Sequence, residues 1–158
     1  MGEQGSRFMN FEVEDDKASA RYEAEIQAVI AAVKKNPEDG KSWLRQGELQ
    51  LQKQKFSDAI HSFEHAIRNG QNTHEAYFLL GNCYLNFNEF EMAARYYIKG
   101  LRINPDHTPT LFNAGFCYLR LGINDKAISA FKKFYALEKT TEWKEEARFQ
   151  LFKLGLKI

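Results

Sequence analysis

The chain has 158 residues, 44% of them apolar and 27% charged, with a formal net charge of +1. That is the make-up of one folded domain with a core of its own, and it excludes a basic field for nucleic acid or an anionic membrane. The two cysteines form no CxxC pair and no apolar run approaches the ~18 residues of a membrane span, which argues against a disulfide scaffold, a cysteine zinc site and membrane insertion and predicts a reducing, cytoplasmic setting.

Residues 1–16 read as a flexible acidic lead ending in EVEDD, without an apolar signal core. Its MGEQGS matches the loose N-myristoylation pattern through Gly2 and Ser6. Residues 17–36 predict a flanking helix, because Tyr22, Ile26, Val29, Ile30 and Val33 form one apolar stripe.

From residue 40 the chain repeats itself. YFLLGNCYLNF at 77–87 returns as LFNAGFCYLRL at 111–121, and SWLRQGELQLQ at 42–52 aligns more faintly, with Trp43 over Tyr77 and Gly47 over Gly81. Ala59, Ala93 and Ala127 are 34 residues apart, as are Phe63, Tyr97 and Phe131. A fixed period of this length signals stacked repeats. The units are 40–73, 74–107 and 108–141, each read as two helices joined by a short turn such as NEF at 88–90. Pro105 ends the second helix of the middle unit, since proline cannot continue it and restricts Asn104 before it. No stretch sustains the alternation of a strand. Residues 142–158 predict a capping helix, with Trp143, Ala147, Leu151 and Leu154 at helical spacing; repeat stacks need such ends to cover apolar faces.

The copied letters are core letters. Gly81 and Gly115 allow close helix approach, and Tyr84, Tyr97, Tyr118 and Phe131 fill the layer between helices. Packed helices lie 8–10 Å apart, too far for a disulfide between equivalent positions, so Cys83 and Cys117 are expected to be buried thiols. HSFEH at 61–65 fits a zinc-peptidase pattern. However, Phe63 is the core residue of that helix, so His61 and His65 should point outwards, with no third ligand and no cleft. No enzyme, cofactor or metal site is predicted.

The pattern resembles the tetratricopeptide repeat. The middle unit matches at Tyr77, Leu80, Gly81, Tyr84, Ala93, Tyr97, Gly100 and Pro105, the third at Leu111, Gly115, Tyr118, Ala127 and Phe131, and the first at Trp43, Gly47, Ala59, Phe63 and Ala66. The resemblance covers about residues 40–141 and implies an all-α, right-handed α-solenoid of three helix-turn-helix units between flanking helices. Two departures stand out. Gln46 and Gln50 replace large apolar residues, which should loosen the seam with the N-terminal helix. Phe134 replaces a small residue, which should alter how the last unit meets the terminal helix.

The resemblance also implies that the first helix of each unit lines a concave groove. Its outward residues here include Leu44 and Arg45, then Phe78, Leu79, Asn82 and Leu85, then Phe112, Asn113, Phe116 and Arg120. An exposed apolar stripe of this kind usually marks a binding surface. Asn82 and Asn113 could pair with the backbone of an extended peptide while Phe78, Phe112 and Phe116 take its side chains. The implied function is a non-enzymatic adaptor or chaperone for a protein or peptide ligand; the chain's own Phe8, Met9, Phe11 and Val13 are the competing occupant. A clamp for C-terminal carboxylates is excluded, because its cations are missing. Two alternatives remain. One is a scaffold subunit or fragment of a larger assembly that binds through its ends, a homodimer included. The other is a translocator chaperone of type III secretion, which YFLLGNC, YYIKG and LFNAGFCYLRLG resemble more weakly.

Overall fold

The structure, a computed structural model, describes residues 16–156. Among these it holds eight α-helices and no strand: α1 (Asp16–Lys35), α2 (Gly40–Gln52), α3 (Phe56–Arg68), α4 (His74–Asn86), α5 (Phe90–Ile103), α6 (Thr108–Arg120), α7 (Asn124–Leu137) and α8 (Thr141–Lys153). The acidic lead, its apolar residues Phe8 to Val13 and the myristoylation pattern lie outside the described residues.

Local chemistry sets the helix ends. Asp39 caps α2 by accepting from the Lys41 amide at 3.1 Å, and Thr73 caps α4 through Ala76 N at 3.1 Å. Pro109 opens α6, where its missing N–H costs nothing. The turns between paired helices each contain one residue with positive φ, at Gln54 (56°), Asn88 (59°) and Gly122 (71°). These stand one period apart, so the turn is copied together with the helices.

Each helix packs mainly on its neighbours in the chain, from α1 on α2 to α7 on α8. This is an all-α solenoid, held by nearest-neighbour seams. The recurring seam pairs a glycine of the first helix with an aromatic ring of the second. A Cβ on Gly47 would lie 2.6 Å from the Phe63 ring, one on Gly81 2.5 Å from Tyr97 and one on Gly115 3.0 Å from Phe131. Carbon atoms prefer about 3.5–4.0 Å, so the seam has room for one bulky partner only. That is why glycine and ring recur together.

At the first departure, Gln50 turns to its own unit. Gln50 Oε1 accepts from the buried Ser62 hydroxyl at 2.6 Å, which ties α2 to α3 inside the unit. Gln46 Oε1 is buried without a partner. The seam to α1 is bridged by Arg45, which holds Glu25 of α1 at 2.6 Å, and by Lys53, whose ammonium sits 4.6 Å over the Tyr22 ring. At the second departure, Phe134 is buried with Leu111 and Ala147, a wedge that joins α6, α7 and α8.

Cys83 and Cys117 are free and buried in separate clusters. Burial pushes both thiols up to about 12. The thiolate is the reactive form. In the native chain iodoacetamide at neutral pH should therefore leave both cysteines unlabelled, while both label in denaturant, as read by mass spectrometry. Rapid native labelling of either one would contradict this placement.

Candidate functional site

The apolar residues assigned to the concave face are half-buried rather than exposed. Leu44 and Leu79 rest on the cluster around Phe63 and Leu80, and Phe78, Phe112 and Phe116 rest on the one around Tyr97 and Phe131. Leu85, expected on the same face, is buried outright. The most exposed large apolar side chains lie elsewhere, at the turns (Phe87, Leu121, Ile123), at Ile103 and on α8.

A polar triad sits among these rings. The Tyr97 hydroxyl donates to Asn82 Oδ1 at 2.7 Å, and Asn113 Nδ2 donates to the same oxygen at 3.0 Å. The triad ties α4, α5 and α6 together. Tyr97 is otherwise buried, and burial drives its hydroxyl well above its ordinary pKa. Sequence reasoning missed this link, although a signal existed. Units one and three carry Phe63 and Phe131 in place of Tyr97, and Glu48 and Phe116 in place of Asn82. The extra hydroxyl and its acceptor therefore appear together, in one unit only. The Asn82 amide nitrogen and the Asn113 amide oxygen take no part in the triad, so one donor and one acceptor remain. Tyr97→Phe should cost about 1 kcal/mol, the net worth of an ordinary hydrogen bond, measured by urea unfolding. No loss would show that the triad is not stabilising.

The flanks of the rings are also occupied. Phe78 meets the His107 ring edge-on at 5.1 Å. His107 Nδ1 lies 2.6 Å from the Thr110 hydroxyl, and its ring is 5.1 Å from that of His74. Burial, and then the His74 charge, hold His107 below the usual histidine range. His107 occupies the capping place that Asp39 and Thr73 fill in the other units, a departure legible in the sequence. Phe112 is enclosed by Phe131 at 5.6 Å, Phe134 at 5.1 Å and Trp143 of α8 at 5.3 Å. Phe116 lies 6.2 Å from Phe90, and the Arg120 guanidinium covers both rings at 6.0 and 4.8 Å. Arg45 is held by Glu25 and Glu48.

His61 and His65 do not stand free. Their rings are 4.5 Å apart, and Trp43 stacks on His65 at 4.3 Å. Burial lowers the His65 pKa, with Arg68 and His61 adding to the effect. Among the described residues no three His, Cys, Asp or Glu side chains gather as for a metal.

A family model described as anaphase-promoting complex, cyclosome, subunit 3 matches residues 52–134, just over half of the chain. The chain belongs to this family, which is built of tetratricopeptide repeats. No curated protein matches it significantly. Among solved structures, MamA is 20% identical over 92% of this chain and 94% of its own, with a TM-score of 0.72. YrrB, described as a tetratricopeptide protein with an unusual peptide-binding site, is 18% identical over 87% of this chain and 80% of its own, with a TM-score of 0.71. The tetratricopeptide domain of Arabidopsis OM64 is 17% identical over 73% of this chain and 96% of its own, with a TM-score of 0.66. These likenesses establish the fold, and with the family they make the chain a tetratricopeptide protein-interaction module. No helix among its described residues is long and apolar enough to cross a membrane.

Proposed function

We propose that this tetratricopeptide protein is a non-enzymatic adaptor or chaperone that holds an extended segment of a partner protein in its concave groove. The observation that carries this reading is the Asn82–Asn113 pair. Asn113 Nδ2 reaches Asn82 Oδ1 at 3.0 Å, which leaves the pair one amide donor group and one amide acceptor, and an extended backbone offers one N–H and one C=O per residue to match. The triad holds both amides in place before binding, so little side-chain entropy is lost on contact. Phe78 and Phe116 receive the ligand's apolar side chains. Phe112, already closed in by Trp143, supports the floor. Arg120 stands at the Phe116 end, where it favours an acidic ligand residue. The peptide-binding site described for YrrB supports a peptide ligand.

The test uses peptides selected from a random display library on the intact chain. Asn113→Leu places the middle unit's residue at this point, and should weaken the selected peptides about tenfold, the value of one or two hydrogen bonds. Helicity should be unchanged. Unaltered affinity in Asn113→Leu would overturn backbone recognition by the pair.

A further inference from the structure

Each seam of the stack sets a second helix on the next first helix, or a first helix on its own second. Helix α1 takes the place of a second helix. Its Tyr22, Ile26, Val29 and Val33 stand one period before Phe56, Ile60, Phe63 and Ile67 of α3, and α1 lies on α2 as α3 lies on α4. Helix α8 takes the place of a first helix and packs on α7 through Ala147 and Leu151. Among the described residues, α1 has no first helix and α8 has no second. The outer face of α8 carries Phe149 and Phe152, which are 50% and 63% exposed.

We propose that this face receives α1 of a second copy, so that the two unpaired helices complete one further unit and copies stack head to tail. The repeat register selects the occupant. Phe149 stands two periods after Gly81, and Val29 two periods before Tyr97. Phe152 stands two periods after Tyr84, and Ala28 two periods before Tyr96. Inside the middle unit these places hold Gly81 tight against the Tyr97 ring, and Tyr84 stacked on Tyr96 at 5.5 Å. At the first of these places the sizes are exchanged at the two ends, with Phe149 on the first helix and Val29 on the second; at the other the first helix keeps a ring, Phe152, and the second carries Ala28, the combination that Tyr118 and Ala130 give in the third unit. A second helix of the ordinary kind would set a ring, as at Phe63, Tyr97 and Phe131, against Phe149, where the Gly81–Tyr97 seam shows room for one. Val29 and Ala28 leave the space that two phenyl rings fill. Ala28 is exposed and Val29 half-buried. Glu25, at the place of Ala93, is tied to Arg45 of α2. The contact is heterologous, so each added copy presents a fresh end. It stands apart from the groove and does not depend on the groove being a peptide site.

Two variants each block one end, Ala28→Arg on α1 and Phe152→Glu on α8. Their masses in solution are compared with the wild type by sedimentation, with helicity as a control. The wild type should grow past two subunits between micromolar and millimolar concentration. Each variant alone lacks one face of the contact, so it should keep the mass of a single subunit and weigh at most half as much as the wild type at the highest concentration. The equimolar mixture should form a one-to-one dimer through its one intact pair of ends. A wild type of single-subunit mass throughout, which needs no variant, would overturn the proposal. So would assembly of Ala28→Arg as in the wild type, which would mark pairing of two α8 faces, or a mixture that forms no dimer. Phe149→Glu replaces Phe152→Glu if the latter loses helicity.

Discussion

Gly81→Ala should destabilise the chain by about 2 kcal/mol and lower its melting temperature by about 4–8 °C, the scale expected of an overpacked core in a chain of this size. Alanine normally favours a helix over glycine by roughly 0.5–1 kcal/mol, so the sign alone is informative. The new methyl group would lie 2.5 Å from the Tyr97 ring. That ring cannot swing aside, because it is buried and its hydroxyl is held by Asn82 at 2.7 Å. Gly115→Ala is the internal comparison. Its Cβ would meet Phe131 at 3.0 Å, and Phe131 has no hydroxyl to anchor it. The cost there should fall to about 1 kcal/mol or less, as the ring shifts by a few tenths of an ångström. Thermal melts of the two variants decide the matter. Equal costs would show that ring contact at the glycine does not set the seam.

Phe78→Glu should weaken a groove ligand roughly 10- to 100-fold, the equivalent of losing about 1.5–3 kcal/mol of apolar burial. Phe78 is half-buried on Tyr97 and His107, so a glutamate there can turn its carboxylate to water and the helix can persist. The loss should therefore appear in titration calorimetry with circular dichroism unchanged. The same change at Phe112 should cost stability as well, because three rings enclose that side chain. If Phe78→Glu binds selected peptides as the wild type does, the groove reading fails.

The fold was legible because its seam demands a pair of letters at a fixed distance. Glycine beside an aromatic ring is costly to change on either side, so Gly47 with Phe63, Gly81 with Tyr97 and Gly115 with Phe131 mark the period unmistakably. The buried cysteines follow from the same register. The groove was less legible. Which way Phe112 points can be read from its place in the unit, but how deeply it seats depends on Trp143, 31 residues on in a helix outside the repeat. Asn82 and Asn113 were found as a pair, yet their tie to Tyr97 depends on a hydroxyl that helical periodicity does not weigh. The outward placing of His61 and His65 was incomplete for a related reason. Trp43 belongs to the neighbouring helix, and its indole gives both imidazoles a surface to cover.

The central claim is that the concave face, through Asn82 and Asn113, reads the backbone of an extended peptide. Chemical-shift mapping of the isotope-labelled chain with a display-selected peptide tests it most directly. The largest shifts should fall on the side-chain amides of Asn82 and Asn113 and on the amides around Phe78 and Phe116. Largest shifts on α8, or around Tyr96 and Lys99, with the two asparagine amides unmoved, would contradict it.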